Sequence, residues 1–394
     1  MRTARRYLAS EIYRSSLVVL LALLGLFTFF ALIEELDNVG NKFSLLSLFY
    51  LQALQMPTRL YDLLPIGLLI GAILALASLA QRNELVILRV SGASGLRLLI
   101  ALWAITLPWF VGAFLLSEYI TPAAEIQYSD VNLKLLGKVG GGRLKSGYWF
   151  KEENPEGGTR IINIGTLHAG GQVSDITLYD FLKNNHFARL SKANSGYFEG
   201  NSLVLNELTE TQLEADPNKA LSDIEIAINA PLIKTEHFET RTLTTSLTSE
   251  RLIARILTPE RMSAAVLFDY IDYLEKNHLQ THRQVVALWR KFAYPFTLFV
   301  MITIAAPIGF MQTRRGGVGG KVFIGILLGV AFFMVNQLAL NIGMLSNWPP
   351  WMTAILPNAA ALFLALLALL LMENRHHARR LFRASAPFVK SSNG

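Results

Sequence analysis

"LLPIGLLIGAILALASLA" (63–80), "QRNELVILRVSGASGLR" (81–97) and "LLIALWAITLPWFVGAFLLS" (98–117) follow one another without a gap. The outer two segments contain no Asp, Glu, Lys, Arg or His, whereas the middle one carries Arg82, Glu84, Arg89 and Arg97. At 1.5 Å per helical residue, about 20 residues cross a hydrocarbon core of roughly 30 Å. A backbone in hydrocarbon must bond to itself, so each uncharged run reads as a membrane-spanning helix. The stretch is therefore two spans joined by a short charged connection.

Working outward, the same pattern recurs at 15–33, 292–311, 322–345 and 351–372, giving six uncharged windows. Composition agrees: 52% of the 394 residues are hydrophobic and only 16% charged, against roughly 25% charged in soluble domains. Cysteine is absent, which excludes disulfide and thiolate chemistry. The first window is long for a signal-peptide core and no A-x-A-like site follows it, so it is expected to be a retained span.

Basic residues set the expected orientation. Arg2, Arg5, Arg6 and Arg14 precede span 1, and Arg82, Arg89 and Arg97 separate spans 2 and 3. Arg314, Arg315 and Lys321 follow span 4, and the tail carries Arg375, Arg379, Arg380, Arg383 and Lys390. On the other side, Glu34, Glu35 and Asp37 follow span 1, Lys42 and Arg59 are the only bases, and "SNWPPW" (346–351) is uncharged. Both termini are expected in the cytoplasm. The net charge of +7 then belongs to the membrane surface, not to a nucleic-acid footprint.

Residues 118–291, between spans 3 and 4, are of another kind. "GYWFKEE" (147–153), "TRIINIG" (159–165), "SDITLYDF" (174–181), "ANSGYFEGNSLVLNE" (193–207) and "ALSDIEIAINAP" (220–231) are short β-rich runs. Ile161, Asn163 and Gly165 alternate with Ile162, Ile164 and Thr166, and "NPEGG" and "FEGNS" suit hairpin loops. Consecutive strands without helices predict a β-sandwich or jellyroll-like domain, on the non-cytoplasmic side. "SAAVLFDYIDYLEKN" (263–277) switches to helical period, with Val266, Tyr270, Tyr273 and Leu274 on one face. It is expected either at the outer membrane surface or packed on the β-domain.

The predicted fold class is membrane α-helical with an inserted all-β domain, three spans on either side. The N-terminal half is 1–117, the β-domain 118–291, the C-terminal half 292–372 and a basic cytoplasmic tail 373–394. A short helix at about 81–91 lies in the connection between spans 2 and 3.

Four motifs in this order resemble one known family. They are "LPIGLLIGAILALASLAQRNELVILRVSG" (64–92), "EYITPAAE" (118–125), the 263–277 helix with "LWRKFAYP" (288–295), and "NWPPWMTAILPNAA" (347–360). The chain resembles the LptF/LptG family of lipopolysaccharide export permeases, and the paired prolines of the last motif lean toward its LptG branch. The first motif is long and specific; the others add weight through order and spacing.

The resemblance implies a Gram-negative inner-membrane subunit that pairs with a sister permease, LptF. It implies a cytoplasmic ATPase dimer, LptB, which binds ATP and Mg, so that this chain holds no cofactor and is no enzyme. Lipopolysaccharide would pass to a periplasmic bridge through LptC and then LptA. The connecting helix becomes the coupling helix, with Glu84 as its acidic coupling residue and Arg82 and Arg89 available for ion pairs; Leu85, Val86 and Leu88 would anchor it. Lipid A phosphates call for cations at the outer ends of spans, which here means Lys42, Arg59, Arg290 and Lys291. Phe27, Phe30, Phe332 and Phe333 could face acyl chains or simply the membrane lipids. Asp37 and Asn38 stand where the family suggests lysine.

Other chemistries are poorly served. "RRGGVGGKV" (314–322) has Arg315 in place of the first glycine of a phosphate-binding loop and Val322 in place of Ser/Thr. Intramembrane carboxylates of the kind that carry protons are missing from the windows, and Asn336 and Gln337 suit interhelical hydrogen bonds. His278 and His282 are four apart, but Leu279 stands where a zinc motif needs Glu, so they read as surface residues. Two rivals to export remain: an intramembrane enzyme, which lacks acids, bases and metal ligands, and a membrane scaffold carrying a β-domain.

Overall fold

The computed structural model describes residues 2–36, 39–40, 44–84, 87, 95–136, 147–154, 157–168, 171–183, 186–200, 202–213, 233–245, 247, 258–310, 318–346 and 348–384. Its elements are α1 (Arg2–Leu36), α2 (Leu45–Gln81), α3 (Gly95–Leu115), a π-helical turn (Leu116–Ile120) and α4 (Thr121–Leu136). Strands β1 (Tyr148–Glu153), β2 (Thr159–Leu167), β3 (Gln172–Phe181), β4 (Phe187–Glu199), β5 (Ser202–Leu213) and β6 (Ile233–Thr244) follow. After a 3-10 turn (Pro259–Arg261) come α5 (Ala264–Lys276), α6 (His282–Phe310), α7 (Val318–Leu345) and α8 (Pro350–Ala384). Six of these helical stretches are long and apolar enough to cross a membrane, as the uncharged windows predict.

The chain divides into two compact units. One comprises Met1–Ile33, Met56–Thr121 and His282–Gly394, and the other Glu34–Gln55 and Pro122–Thr281. Of the three divisions that fall inside helical segments, one lies near the end of α1 and two lie beside a proline, Pro57 within α2 and Pro122 at the start of α4, where a backbone donor is lost.

In the helical unit, α2 and α6 form the centre. About 78% of the most apolar window of α2 and 67% of that of α6 are buried, against 11% for α1 and α7 and 17% for α8. The core is a cluster of aliphatic side chains from α1, α2, α3 and α6, including Ile12, Leu69, Ile73, Leu102, Met301 and Ile302. Leu8, Ile12, Ser16 and Leu20 recur every four residues and form the buried stripe of α1. That stripe meets the glycines of "GLLIG". A Cβ on Gly71 would fall 2.3 Å from the Ser16 Cα, and one on Gly67 2.3 Å from Leu20 Cδ2. The small-xxx-small spacing therefore lets α1 and α2 touch backbone to side chain. Polar links span the bundle as well: the Trp103 indole donates to Thr303 Oγ1 (2.9 Å) and Tyr13 Oη donates to the Ile105 carbonyl (2.8 Å).

In the second unit, β1 to β6 form one antiparallel sheet with neighbours in sequence order. The expectation of an inserted all-β domain is met by this six-stranded meander. Ile162 and Ile164 are fully buried while Gly165 is exposed, as the alternation predicts. Gly200 takes φ +59° in the tight turn between β4 and β5, a backbone that favours glycine. The inner face packs Phe150, Ile162, Ile176, Leu178, Leu203, Leu205 and Leu208 into its own core. Thr245, just past β6, donates to Glu152 of β1 (2.6 Å), so one end of the sheet curls back on itself. A buried charged cluster sits nearby: Arg160 Nε contacts Asp180 Oδ1 at 2.6 Å, and its Nη1 lies 3.6 Å from Glu152 Oε1. β6, which the sequence reading missed, pairs along β5; "ALSDIEIAINAP" lies outside the described residues.

α5 packs inside this unit: Tyr273 Oη donates to the Lys151 carbonyl of β1 (3.0 Å), and Leu267, Tyr270, Ile271 and Leu274 are buried. That selects the β-domain alternative for this helix. Val266, expected on the buried face, is 43% exposed, because Leu267 and Ile271 take that face instead.

Candidate functional site

Two ends of the helical unit carry the polar chemistry. At the end holding the N-terminus, α2 stops because Asn83 adopts φ +60°. The Asn83 amide still reaches the Ala80 carbonyl (3.2 Å), and the Ile87 amide donates to the Asn83 carbonyl (3.2 Å), which starts one further helical turn. Glu84 sits in this turn. The Tyr7 hydroxyl of α1 is within hydrogen-bonding reach of the Glu84 carboxylate and of Arg82. Glu84 Oε2 is buried with no hydrogen-bond partner among the described residues. A buried carboxylate oxygen without a donor carries a desolvation cost, so this place calls for one. Arg89 and the anchors Leu85, Val86 and Leu88 lie outside the described residues.

At the opposite end, α2 and α6 run side by side. Tyr61 and Tyr294 have ring centroids 4.1 Å apart, and Tyr294 donates to the Tyr61 carbonyl. Arg59 and Lys291 flank this pair on the same side, so they sit at one level of the bundle. Arg59 Nη1 reaches Thr28 Oγ1 of α1 at 3.5 Å. Arg290 is partly buried on α6, and Lys42 lies outside the described residues.

Lys291 is engaged in a way the sequence did not suggest. The π-helical turn directs the Thr121 amide to the Leu116 carbonyl. The next donor in that pattern is Pro122, which has no N–H, and this leaves the Ser117 carbonyl without a backbone donor. Lys291 Nζ donates to that carbonyl (2.9 Å) and stands 3.7 Å from Glu118 Oε2. Its side chain is only 9% exposed. Lys291 thus fastens α6 to the turn after α3.

The phenylalanines divide. Phe27, Phe30 and Phe333 are more than half exposed on the outward faces of α1 and α7, whereas Phe332 packs against the helical core. The chain's arrangement brings Arg82 to Glu84 through Tyr7, and Arg59 to the level of Lys291. Tyr7, Ser117 and Glu118 escaped the sequence reading; only the proline after "EYIT" signalled a disturbed helix. Part of "RRGGVGGKV" lies outside the described residues. His278 and His282 do not share a helix, since α5 ends at Lys276 and α6 begins at His282. No cluster of three or more metal-binding side chains occurs among the described residues.

Known proteins are similar to this chain over nearly its whole length. The chain is 26% identical to the lipopolysaccharide export system permease protein LptG of Haemophilus influenzae over 376 residues, covering 95% of this chain and 99% of that protein. It is 24% identical to the protein of the same name from Escherichia coli K12 over 366 residues, 92% of this chain and 96% of that one. Residues 6–372, which hold all six long apolar helices and the sheet, match the lipopolysaccharide export system permease family LptF/LptG, and the chain belongs to that family.

Proposed function

We propose that the chain is the LptG-type subunit of a transporter that extracts lipopolysaccharide from the Gram-negative inner membrane and hands it to a periplasmic bridge. The observation that carries this reading is the family match from end to end, through both sets of spans and the β-domain. In it, the sister permease LptF covers outward faces such as those of α1 and α7, which are poorly buried within this chain. ATP and Mg belong to an LptB dimer on the cytoplasmic side, and LptC and then LptA receive the lipid.

The charge asymmetry supports an orientation with both termini in the cytoplasm and the sheet in the periplasm. Glu84 then faces the ATPase, and its Oε2, which has no hydrogen-bond partner among the described residues, accepts a donor from that partner, with Arg82 and Arg89 near it in sequence. At the periplasmic end Lys42, Arg59 and Arg290 offer cations to lipid A phosphates, while Phe27, Phe30 and Phe333 offer apolar surface to acyl chains. Lys291 holds the frame around them.

Affinity capture of the full-length chain co-expressed with LptF and LptB tests the reading. The expected result is a stable complex that releases lipopolysaccharide to the bridge only with ATP. Capture of the chain without either partner would remove the export role and leave the scaffold.

A further inference from the structure

Beside the tight Ser16–Gly71 crossing, α1 and α2 leave a groove on the side toward the N-terminus of α1. The face of α1 continues as Ser15, Arg14 and Glu11, and that of α2 as Leu74, Ser78 and Arg82. Together with Val18 they line a cavity of about 480 Å³, within the roughly 300–1,000 Å³ of small-ligand sites. Its wall is graded. Val18 and Leu74 are apolar, Ser15 and Ser78 supply hydroxyls, and two guanidinium groups and one carboxylate supply charge. No ion pair ties Glu11 or Arg14 to a third residue among the described residues, and with Arg82 they give the lining two cations and one anion.

We propose that this cavity binds one phospholipid whose headgroup carries a phosphodiester and an ammonium group. Arg14 and Arg82 take the phosphodiester, since guanidinium pairs phosphate oxygens through parallel N–H bonds. Glu11 takes the ammonium. Ser15 and Ser78 donate to the ester carbonyls below, and Val18 and Leu74 meet the start of the acyl chains. A purely anionic headgroup would leave Glu11 facing negative charge, and free phosphate would leave the apolar wall empty. The assignment to the cytoplasmic leaflet rests on the orientation proposed above; the headgroup chemistry does not. The lipid would fill the wedge between α1 and α2 beside the Glu84 turn.

The test uses the full-length chain, delipidated in detergent and offered an equimolar mixture of phosphatidylethanolamine and phosphatidylglycerol, with retained lipid counted by native mass spectrometry. Wild type is expected to keep one phosphatidylethanolamine. Arg14→Gln is expected to lower that retention about tenfold or more, and Arg14→Lys, which keeps the charge but not the paired N–H bonds, to retain more than Arg14→Gln and less than wild type. Glu11→Gln is expected to retain lipid but lose the preference for phosphatidylethanolamine. Equal retention by wild type and Arg14→Gln, or an unchanged preference in Glu11→Gln, would overturn the site. Displacement by inorganic phosphate would overturn its assignment to a lipid. The count needs neither ATP nor lipopolysaccharide, so it stands or falls apart from the export reading.

Discussion

Lys291 on α6 lies 174 residues beyond Ser117 in sequence, yet its Nζ donates to the Ser117 carbonyl at 2.9 Å and lies 3.7 Å from Oε2 of Glu118 in the π-helical turn after α3. Pro122 explains the contact: it leaves a carbonyl without a donor at the level where the chain passes from span 3 to α4. The lysine satisfies the carbonyl, and the carboxylate compensates the lysine.

Removing either charge alone leaves the other partly desolvated. Lys291→Met and Glu118→Gln are each expected to lower the thermal midpoint of the solubilised protein. The double variant is expected to lose less than the sum, with a coupling of roughly 0.5–3 kcal/mol. Thermal unfolding of the three variants checks this; strictly additive losses would reduce the pair to a coincidence of position.

The crossing of α1 over α2 makes a graded prediction. Gly71→Ala drives a methyl into the Ser16 backbone, while Gly67→Ala meets the movable end of Leu20 and Gly25→Ala meets nothing within 4 Å. The expected order of destabilisation is Gly71 over Gly67, with Gly71→Ala costing about 1–3 kcal/mol. Gly25→Ala, in the exposed middle of a helix, is expected to be neutral or stabilising by up to roughly 1 kcal/mol. Midpoints in the same detergent rank the three.

The spans were legible because bilayer thickness imposes one length on them and excludes charge, so each window falls on a helical stretch; the helices run further, most of all α2, which starts at Leu45, eighteen residues before its window, because Arg59 and Asp62 cut that window short. The strands with apolar alternation were legible for a similar reason. β6 was not: "IKTEHFETRTLT" offers only Ile233, Phe238 and Leu243 as large apolar residues, and its place comes from backbone pairing with β5. Glu84 could be singled out as the lone acid of its loop. Its neighbour Tyr7 could not, because nothing local to α1 marks a residue that meets another helix's end. The role of Lys291 depends on a carbonyl orphaned far away in sequence, which no periodicity records.

Orientation is open to a direct check, since the chain has no cysteine of its own. A cysteine at Ser195, exposed on β4, is expected to react with a membrane-impermeant thiol reagent added to cells with a permeabilised outer membrane. One at Ser385, in the basic tail, is expected to react only after the inner membrane is opened. The reverse pattern would invert the topology and remove the proposed function.

Substrate contact at the periplasmic end is tested by reversing charge. Lys42→Glu with Arg59→Glu is expected to reduce crosslinking of lipopolysaccharide to the complex several-fold, with the ATPase still bound, as like charge now meets the lipid phosphates. Unchanged crosslinking would shift phosphate recognition to Arg290.

Glu84 is the only acidic residue between Ala80 and Leu98, and its buried Oε2 has no donor among the described residues. A basic side chain from the ATPase would complete it. Truncating one member of such a desolvated pair costs roughly 2–5 kcal/mol, so Glu84→Ala is expected to weaken ATPase capture by at least an order of magnitude or to uncouple hydrolysis from lipid release. Glu84→Arg would bring like charge to the same partner and is expected to be worse. Tyr7→Phe removes only the hydroxyl that steadies the carboxylate, and a milder loss is expected. The six spans are formed by residues remote from this turn, so membrane insertion of all three variants is expected to match wild type. Wild-type capture and export by Glu84→Arg would mean that the turn between spans 2 and 3 is a solvated connector, and the coupling contact would have to be sought elsewhere on the cytoplasmic face.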